Sequence, residues 1–288
     1  MTAATNPPDP TADPAARVKR GMRGAYDLAA PRYEQFIAPR FVPIARRVVS
    51  LARPNTDDIH LDLATGTGLV PAMTDDRRTV GCIAPWRVAM DMSGNMLRAA
   101  RLSSPPTRLV QGDLERLPFK TGSIDVVTLA LALHHLPTPR RALSELRRIV
   151  SPSGRLVLAA WGDELSPLWQ AFDRWFEEAG LGAARATPKQ DLPIDTAALL
   201  STALREVGGF GSAEVVREVP PIIFRSLVAF WEWRISFPAP NQTFSAMDPE
   251  TRAHHRATCL EQLAPLAAQY PDGEIRADQA VLFAVARP

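Results

Sequence analysis

The chain has 288 residues, of which 46% are hydrophobic and 22% are charged, a composition typical of a folded globular protein. The net charge of +2 comes from 33 basic and 31 acidic residues, and this balance argues against a nucleic-acid groove. The two cysteines, Cys82 and Cys259, argue against a disulfide framework and favour a reducing cytoplasm. No apolar run approaches the roughly 20 residues of a membrane span.

The N-terminal region divides into a tail and a helical segment. Residues 1–16 are rich in Ala, Thr, Asp and Pro and lack the basic start and apolar core of a secretion signal. We therefore predict a disordered tail there. Between residues 18 and 51, aromatic and aliphatic side chains recur at three-to-four spacing, which predicts two helices.

The run Leu61–Gly68 (LDLATGTG) is the most informative segment of the chain. It completes a short apolar strand predicted over residues 59–63 and places an acid, Asp62, near the end of that strand. Its two glycines let the backbone turn sharply and approach a ligand closely. A helix is then expected to begin at Leu69.

The next segments repeat this strand-then-helix pattern. Further strands are predicted over residues 87–90, 108–110, 124–131 and 155–160. Asp91 closes the first of them and Asp113 follows the second, and Ser93 is a suitable cap for the helix between them. The stretch after Asp125 is entirely apolar, which is typical of a strand buried on both faces of a parallel sheet. An amphipathic helix over residues 138–150 is predicted to end at Ser151-Pro152-Ser153-Gly154.

This alternation predicts an α/β protein with a doubly wound parallel sheet and helices on both faces. Ligands of such sheets bind at the carboxyl ends of the strands, and Asp62, Asp91 and Asp113 all lie at those ends. The second half is less regular. It predicts helices over residues 167–180, 196–207, 224–237 and 249–270, and strands over 213–219 and 279–286.

The motifs in this order resemble the nucleotide-binding set of class I S-adenosylmethionine-dependent methyltransferases. Within that class, the chain is most similar to the small-molecule subgroup that includes ubiquinone and menaquinone C-methyltransferases. The resemblance runs from Ala25 to Trp161. It implies a Rossmann-like methyltransferase fold with a seven-stranded, mostly parallel sheet. It also implies a helical lid over residues 17–56, a cofactor-binding core over 57–162, and the remaining strands with a helical acceptor-binding cap over 163–288.

The resemblance also implies S-adenosylmethionine as cofactor and S-adenosylhomocysteine as its product. Asp62 would bind the methionine ammonium, Asp91 would accept hydrogen bonds from the ribose hydroxyls, and Asp113 would accept one from the adenine amino group. Asp91 lies 23 residues beyond Gly68, close to the spacing of about 20 expected for a ribose-binding acid. The implied cofactor-binding set is Tyr26, Tyr33, Asp62, Ala64, Thr65, Gly66, Gly68, Asp91, Met92, Asp113, Leu114 and Ala130.

Two features separate this pattern from others. Ala64 replaces the first glycine of the family motif, a change that we expect to cost little. A nicotinamide or flavin dinucleotide is disfavoured because Gly66 and Gly68 are not followed by the third glycine of that fingerprint. The negative charge of Asp62 would also oppose a pyrophosphate.

Candidate catalytic residues follow the fourth strand. Methyl transfer from a sulfonium needs mainly alignment and the removal of a proton from the acceptor. We predict His135 as the general base and His134 as the second choice, because an imidazole has a suitable ordinary pKa. The alternative is a structural pair that caps a helix or bonds a carbonyl. His254 and His255 lie within a predicted helix, and no metal site is predicted there.

We therefore expect methyl transfer to O, C or N of a small molecule such as a specialised metabolite. No Asn-Pro-Pro-Tyr-type segment follows the fourth strand, which disfavours amino-group methylation of adenine or glutamine. Two alternatives stay open: a cyclase of the same fold that transfers no methyl, and a non-catalytic cofactor sensor. The aromatic residues of the helices over 167–180 and 224–237 form either an acceptor pocket or ordinary core. The oligomeric state is not indicated by the sequence.

Overall fold

The computed structural model of the chain describes residues 13–74, 86–103, 107–182, 192–270 and 273–288. Its strands are β1 (Ile59–Leu63), β2 (Trp86–Asp91), β3 (Arg108–Gln111), β4 (Ile124–Ala130), β5 (Val150–Trp161), β6 (Ser212–Glu218), β7 (Ile223–Phe224), β8 (Ile275–Arg276) and β9 (Val281–Arg287). Its helices are α1 (Pro14–Arg32), α2 (Ala38–Ala52), α3 (Leu69–Thr74), α4 (Gly94–Ser103), α5 (Pro139–Ile149), α6 (Pro167–Glu178), α7 (Ala197–Thr202), α8 (Leu227–Arg234), α9 (Pro238–Ser245) and α10 (Pro249–Ala267).

Seven of the described strands form one sheet in the order β3-β2-β1-β4-β5-β9-β6. The first five run parallel, and β9 lies antiparallel between β5 and β6. Leu61 in β1 is paired with Val88 on one side and with Val127 on the other. The winding of the chain reverses at β1, so a crevice opens at the carboxyl ends of β1 and β4. The predicted α/β fold with a mostly parallel seven-stranded sheet is confirmed.

The apolar pattern of β4 explains its central position. Val126, Val127 and Leu129 are completely buried, because helices cover both faces of the sheet. One core layer packs α2, α6 and the C-terminal helices against one face, and the other packs α5 and α7 against the opposite face. The short helix α4 begins where expected, because Ser93 Oγ accepts a hydrogen bond from the Met96 N–H at 3.1 Å.

Several predicted boundaries are wrong for identifiable reasons. Helix α1 begins at Pro14 with Asp13 as its cap, so the last residues of the predicted tail are helical; residues 1–12 lie outside the described chain. The run 151–154 does not separate a helix from a strand but belongs to β5, where the register with β4 shifts. Phe224 belongs to β7, and the helix predicted to begin there begins at Leu227 behind the Ser226 cap.

The aromatic residues of the second half are mostly core. Six of them are almost completely buried against one another: Phe172, Trp175, Phe176, Phe230, Trp231 and Trp233. Trp169 and Phe237 differ, because both also line an open cavity. Among the described residues, no helix has the length and apolar character needed to cross a bilayer.

Candidate active site

A cavity with about 770 Å³ of open space lies at the carboxyl ends of β1, β2 and β4. The N-terminal helix α1 closes it from above. Its described walls include Lys19, Met22, Tyr26, Tyr33, Ala64, Gly66, Met90, Asp91, Met92, Met96, Gly112, Asp113, Leu114, Ala130, Leu131, Ala132, His135, Leu136 and Pro137. We call it the first cavity.

The turn after β1 has the conformation that its glycines predict. Gly66 and Gly68 have φ angles of +56° and +87°, which glycine adopts without steric cost. Ala64 also has a positive φ, of +50°. A Cβ disfavours this left-handed region by roughly 1 kcal/mol, so this replacement of a glycine costs more than the sequence suggested. The turn therefore stores local strain beside the cavity.

Asp91 is the buried carboxylate of the first cavity. Its Oδ2 accepts a hydrogen bond from the Gly66 N–H, and its Oδ1 accepts one from the Ser93 N–H, both at 2.8 Å. Burial raises the pKa of Asp91 above its ordinary value, and the backbone N–H donors oppose that rise. Each oxygen keeps capacity for a further hydrogen bond, so the carboxylate is fixed in place and able to accept from two ligand hydroxyls.

Asp113 lies at the opposite end of the first cavity and is held by protein donors. Its Oδ1 accepts from the Glu115 N–H at 2.9 Å, and its Oδ2 lies 2.7 Å from Lys19 Nζ on α1. Lys19 also lies 2.6 Å from Glu115, which is buried. Sequence reasoning missed Lys19, because its acidic partners follow it by more than 90 positions. The ammonium ties α1 across the mouth of the cavity.

Space at this end of the cavity depends on Gly112. A Cβ at this position would lie 2.6 Å from Sδ of Met90, a contact far too short for two nonbonded atoms. Met92 and Leu114 line the same end of the cavity. Apolar side chains therefore lie at the same end of the cavity as the Asp113 carboxylate.

Asp62 does not line the first cavity but lies beneath the turn that does. Its Oδ1 accepts from the Thr128 hydroxyl at 2.7 Å, and His60 Nε2 lies 3.0 Å from the same hydroxyl oxygen. Burial raises the pKa of Asp62 to about 7, and burial lowers the pKa of His60 to about 4. His60 is therefore neutral at pH 7. This buried chain of three side chains was not predicted, because only the β1–β4 pairing brings them together.

The other oxygen of Asp62, Oδ2, is buried and makes no hydrogen bond of regular geometry with a described residue, although the neighbouring Thr65 hydroxyl lies close enough to lower the pKa of the carboxyl. A buried carboxylate with incomplete hydrogen bonding is unfavourable, so a cationic group of a ligand above the turn would stabilise its ionised form. Ala64, two residues beyond Asp62, lines the first cavity. A ligand ammonium there would therefore lie next to this part of the turn.

His135 and Tyr26 form the wall at the end of β4. The Tyr26 hydroxyl and His135 Nε2 share a hydrogen bond of 2.8 Å. Burial lowers the pKa of His135 to about 4, so the ring is neutral at pH 7, and burial raises the pKa of Tyr26 well above its ordinary value. The His134 ring is tilted by 44° relative to the His135 ring, with ring centroids 3.9 Å apart. The Tyr26 hydroxyl therefore occupies the hydrogen-bonding position at His135 Nε2.

A second cavity, with about 1510 Å³ of open space, lies on the other side of this wall. We call it the second cavity. Five residues line both cavities: Met22, Tyr26, Tyr33, Leu131 and His135. His134 lines the second cavity without lining the first. The two spaces are therefore adjacent, with the predicted catalytic pair between them.

The structure brings most of the predicted site residues to one place. Those that line the first cavity are Tyr26, Tyr33, Ala64, Gly66, Asp91, Met92, Asp113, Leu114, Ala130 and His135. Thr65 and Gly68 shape the turn from behind: the Thr65 N–H donates to the Met90 carbonyl, and the Gly68 N–H donates to the Thr65 carbonyl, each at 3.0 Å. No group of three potential metal ligands occurs among the described residues.

Comparison with known proteins finds similarity to methyltransferases over part of the chain. A family model for the methyltransferase domain matches residues 61–158. The demethylmenaquinone methyltransferase of Paenarthrobacter aurescens is 36% identical over 110 residues, which are 38% of this chain and 41% of that protein. The malonyl-[acyl-carrier protein] O-methyltransferase of a Marinomonas species is 31% identical over 162 residues, 54% of this chain and 58% of that protein. The chain thus spans about half the length of these relatives.

Solved structures share the fold at low sequence identity. The YcgJ protein of Bacillus subtilis superposes with a TM-score of 0.53 at 17% identity, covering 85% of this chain and 99% of that one. Phosphoethanolamine N-methyltransferase 2 of Haemonchus contortus, solved with phosphomonomethylethanolamine and S-adenosylhomocysteine, gives 0.51 at 16% identity, covering 85% and 52%. These likenesses establish the fold.

Proposed function

We propose that the chain transfers a methyl group from S-adenosylmethionine to O, C or N of a small molecule, and the match of residues 61–158 to a methyltransferase-domain model supports this. The observation that carries the proposal is Asp91, a buried carboxylate whose two oxygens are fixed by backbone N–H groups at the edge of the first cavity. That arrangement suits a pair of vicinal ribose hydroxyls.

The residues present fit this cofactor along its whole length. Asp62 is buried beneath the turn, where its carboxyl suits the methionine ammonium. Asp91 suits the ribose. The space beside Gly112, Met92 and Asp113 suits a planar base. A dinucleotide fits less well, because a pyrophosphate at the turn would lie next to the Asp62 carboxylate.

The bound cofactor supplies an activated methyl group on a positively charged sulfur. The protein residues orient the acceptor and manage its proton. Tyr26 and His135 stand on the wall between the cavities, so they are the groups that an acceptor in the second cavity contacts. Both are neutral at pH 7 and weak as bases, and the hydrogen bond between them gives a proton a short route away from the acceptor.

The identity of the acceptor and the cellular location of the protein are also parts of this proposal. The curated relatives act, by their names, on demethylmenaquinone and on a malonyl-acyl carrier, and a specialised metabolite is our proposal for this chain. We also propose a cytoplasmic location, without a nucleic-acid or membrane partner, from the balanced charge and the low cysteine content. The assignment of residues 17–56 as a lid and 163–288 as an acceptor cap belongs to the same proposal.

Isothermal titration calorimetry with S-adenosylmethionine, S-adenosylhomocysteine and NAD in parallel tests the cofactor. We expect the first two to bind and NAD not to bind; binding of NAD alone would overturn the proposal. Mass spectrometry of the product tests the reaction. Methyl transfer adds the mass of one CH₂ to the acceptor, whereas a product of unchanged mass would identify a cyclase.

A further inference from the structure

We propose that the second cavity binds the acceptor, and that the acceptor is an uncharged, largely aromatic molecule that carries a hydroxyl or N–H hydrogen-bond donor. This inference rests on the proposed function and extends it to the class of the substrate. The relatives named above act on molecules that differ widely in charge, so their names do not decide this class.

The position of the second cavity makes it the acceptor site. It shares the wall of Tyr26, Tyr33 and His135 with the first cavity, so an occupant of one lies next to an occupant of the other. Methyl transfer requires the two reacting atoms to come within about 3–3.5 Å, which only directly adjacent sites allow. Counting the solvent at its mouth, the second cavity has about 1510 Å³ of open space, against about 770 Å³ for the first, so it is the roomier of the two.

The walls of the second cavity exclude charge. Among the described residues that line it there is no Asp, Glu, Lys or Arg. Four aromatic side chains supply much of the surface instead: Phe41, Trp161, Trp169 and Phe237. Trp161 packs edge-to-face against both Phe41 and Trp169, with ring centroids 5.6 Å apart in each pair. A carboxylate or phosphate placed here would lose its hydration without gaining a counter-charge, whereas a neutral ring gains apolar contact.

Gln279 adds a specific polar requirement. Its side chain is buried with 1% of its surface exposed, yet it lines the second cavity. Nε2 donates to the backbone carbonyl of Glu164, and because a carbonyl only accepts, this contact fixes the orientation of the amide. Oε1 is then left with no hydrogen-bond partner among the described residues. Because the residue lines the cavity, an O–H or N–H donor on a ligand there is the group that would satisfy this buried acceptor.

His134 and Gln242 also contribute polar surface to the second cavity. Gln242 is exposed and lies at the rim, where water hydrates its amide. Among the buried atoms of the described wall that make no hydrogen bond are His135 Nδ1 and Gln279 Oε1; the imidazole nitrogen donates or accepts according to its tautomer, whereas Gln279 Oε1 can only accept. A ligand that lacks a donor would leave this oxygen unsatisfied.

Equilibrium dialysis against protein saturated with S-adenosylhomocysteine tests the proposal with three probes of one size: 2-naphthol, 2-methoxynaphthalene and 2-naphthoate. We expect 2-naphthol to bind most tightly. The methoxy probe, which has no donor, should bind about three- to tenfold more weakly, and the charged naphthoate at least tenfold more weakly. Equal binding of naphthoate and naphthol, or no binding of any probe to protein that does bind S-adenosylhomocysteine, would overturn the inference.

Failure of S-adenosylhomocysteine itself to bind would instead count against the proposed function, so the two failures are distinguishable. A variant sharpens the test. Gln279→Met keeps the length of the side chain but removes its acceptor, and we expect it to bind 2-naphthol and 2-methoxynaphthalene equally. The matched control is Gln262→Met, an exposed glutamine on α10, which should keep the wild-type preference. If Gln279→Met still preferred 2-naphthol over 2-methoxynaphthalene, the role of this residue would be contradicted. The comparison of the three probes on the wild-type protein tests the proposal independently of both variants.

Discussion

Replacing Asp62 with asparagine should change how many protons are exchanged when the cofactor binds. Burial raises the pKa of Asp62 to about 7, so the carboxyl is about half protonated at pH 7 in the free protein. A cation within about 4–6 Å lowers the pKa of a carboxyl by roughly 1–3, so binding of the methionine ammonium should leave Asp62 fully ionised. Binding at pH 7 should therefore release about half a proton.

The sign of this linkage follows from the raised pKa. Without a ligand, Asp62 favours folding most at low pH, and this contribution is lost as the pH rises towards 7. The release on binding should be largest midway between the pKa values of the free and bound states, at about pH 5.5–6.5 for a fall of 1–3, and should decline at lower pH because the carboxyl is then protonated in both states. At pH 9 it is already ionised and the release at this group should approach zero.

Calorimetry in two buffers of different ionisation enthalpy, at matched pH and ionic strength, measures this number directly. The wild-type protein should show the buffer dependence, and Asp62→Asn should show little of it. Asp163→Asn, which changes an exposed aspartate, is the matched control and should behave as wild type. Proton uptake, or a release that is the same in the wild-type and Asp62→Asn proteins, would refute the reasoning.

Three further changes have expected outcomes. Gly112→Ala places a Cβ 2.6 Å from Sδ of Met90, so we expect at least a tenfold loss of S-adenosylhomocysteine affinity in calorimetry. Gly24 lies on an exposed helix face with open space around it, so Gly24→Ala should instead raise the free energy of unfolding by about 0.5–1 kcal/mol. Tyr26→Phe removes a part-buried hydrogen bond and should lower that free energy by about 1 kcal/mol in urea titrations; an unchanged midpoint would contradict the contact. Burial lowers the pKa of His135 from 6.5 to about 4, so its contribution to stability is complete above pH 6.5 and is lost as the pH falls towards 4. His135→Gln should therefore flatten the dependence of the free energy of unfolding on pH between these values. An unchanged slope would count against the lowered pKa.

The sequence predicted the sheet well because its signals are local. The strand ending at Asp62, the glycine turn, and the acids Asp91 and Asp113 each follow from residues adjacent in the chain. The parallel topology then places the ends of those strands at one edge, which is why independent local patterns converge on one cavity. Even so, Asp62 lies beneath the turn rather than on the cavity wall, and strand order alone does not fix how deep a side chain lies.

Long-range contacts account for what was missed. Lys19 reaches Asp113 from the first helix, and Gln279 reaches the second cavity from the segment before the last strand. Neither residue carries a local signature, because a lone lysine or glutamine is ordinary on any surface. Ala64 shows a related limit: a small residue in place of glycine looked inexpensive until its φ of +50° was known.

The account depends most on Asp91 as the ribose ligand of an adenosyl cofactor, and a crystal structure with S-adenosylhomocysteine is the most direct measurement of it. We expect both ribose hydroxyls within hydrogen-bond distance of the Asp91 carboxylate and the adenine beside Gly112 and Asp113. A ribose bound elsewhere, or electron density that leaves the first cavity occupied only by solvent, would contradict the account.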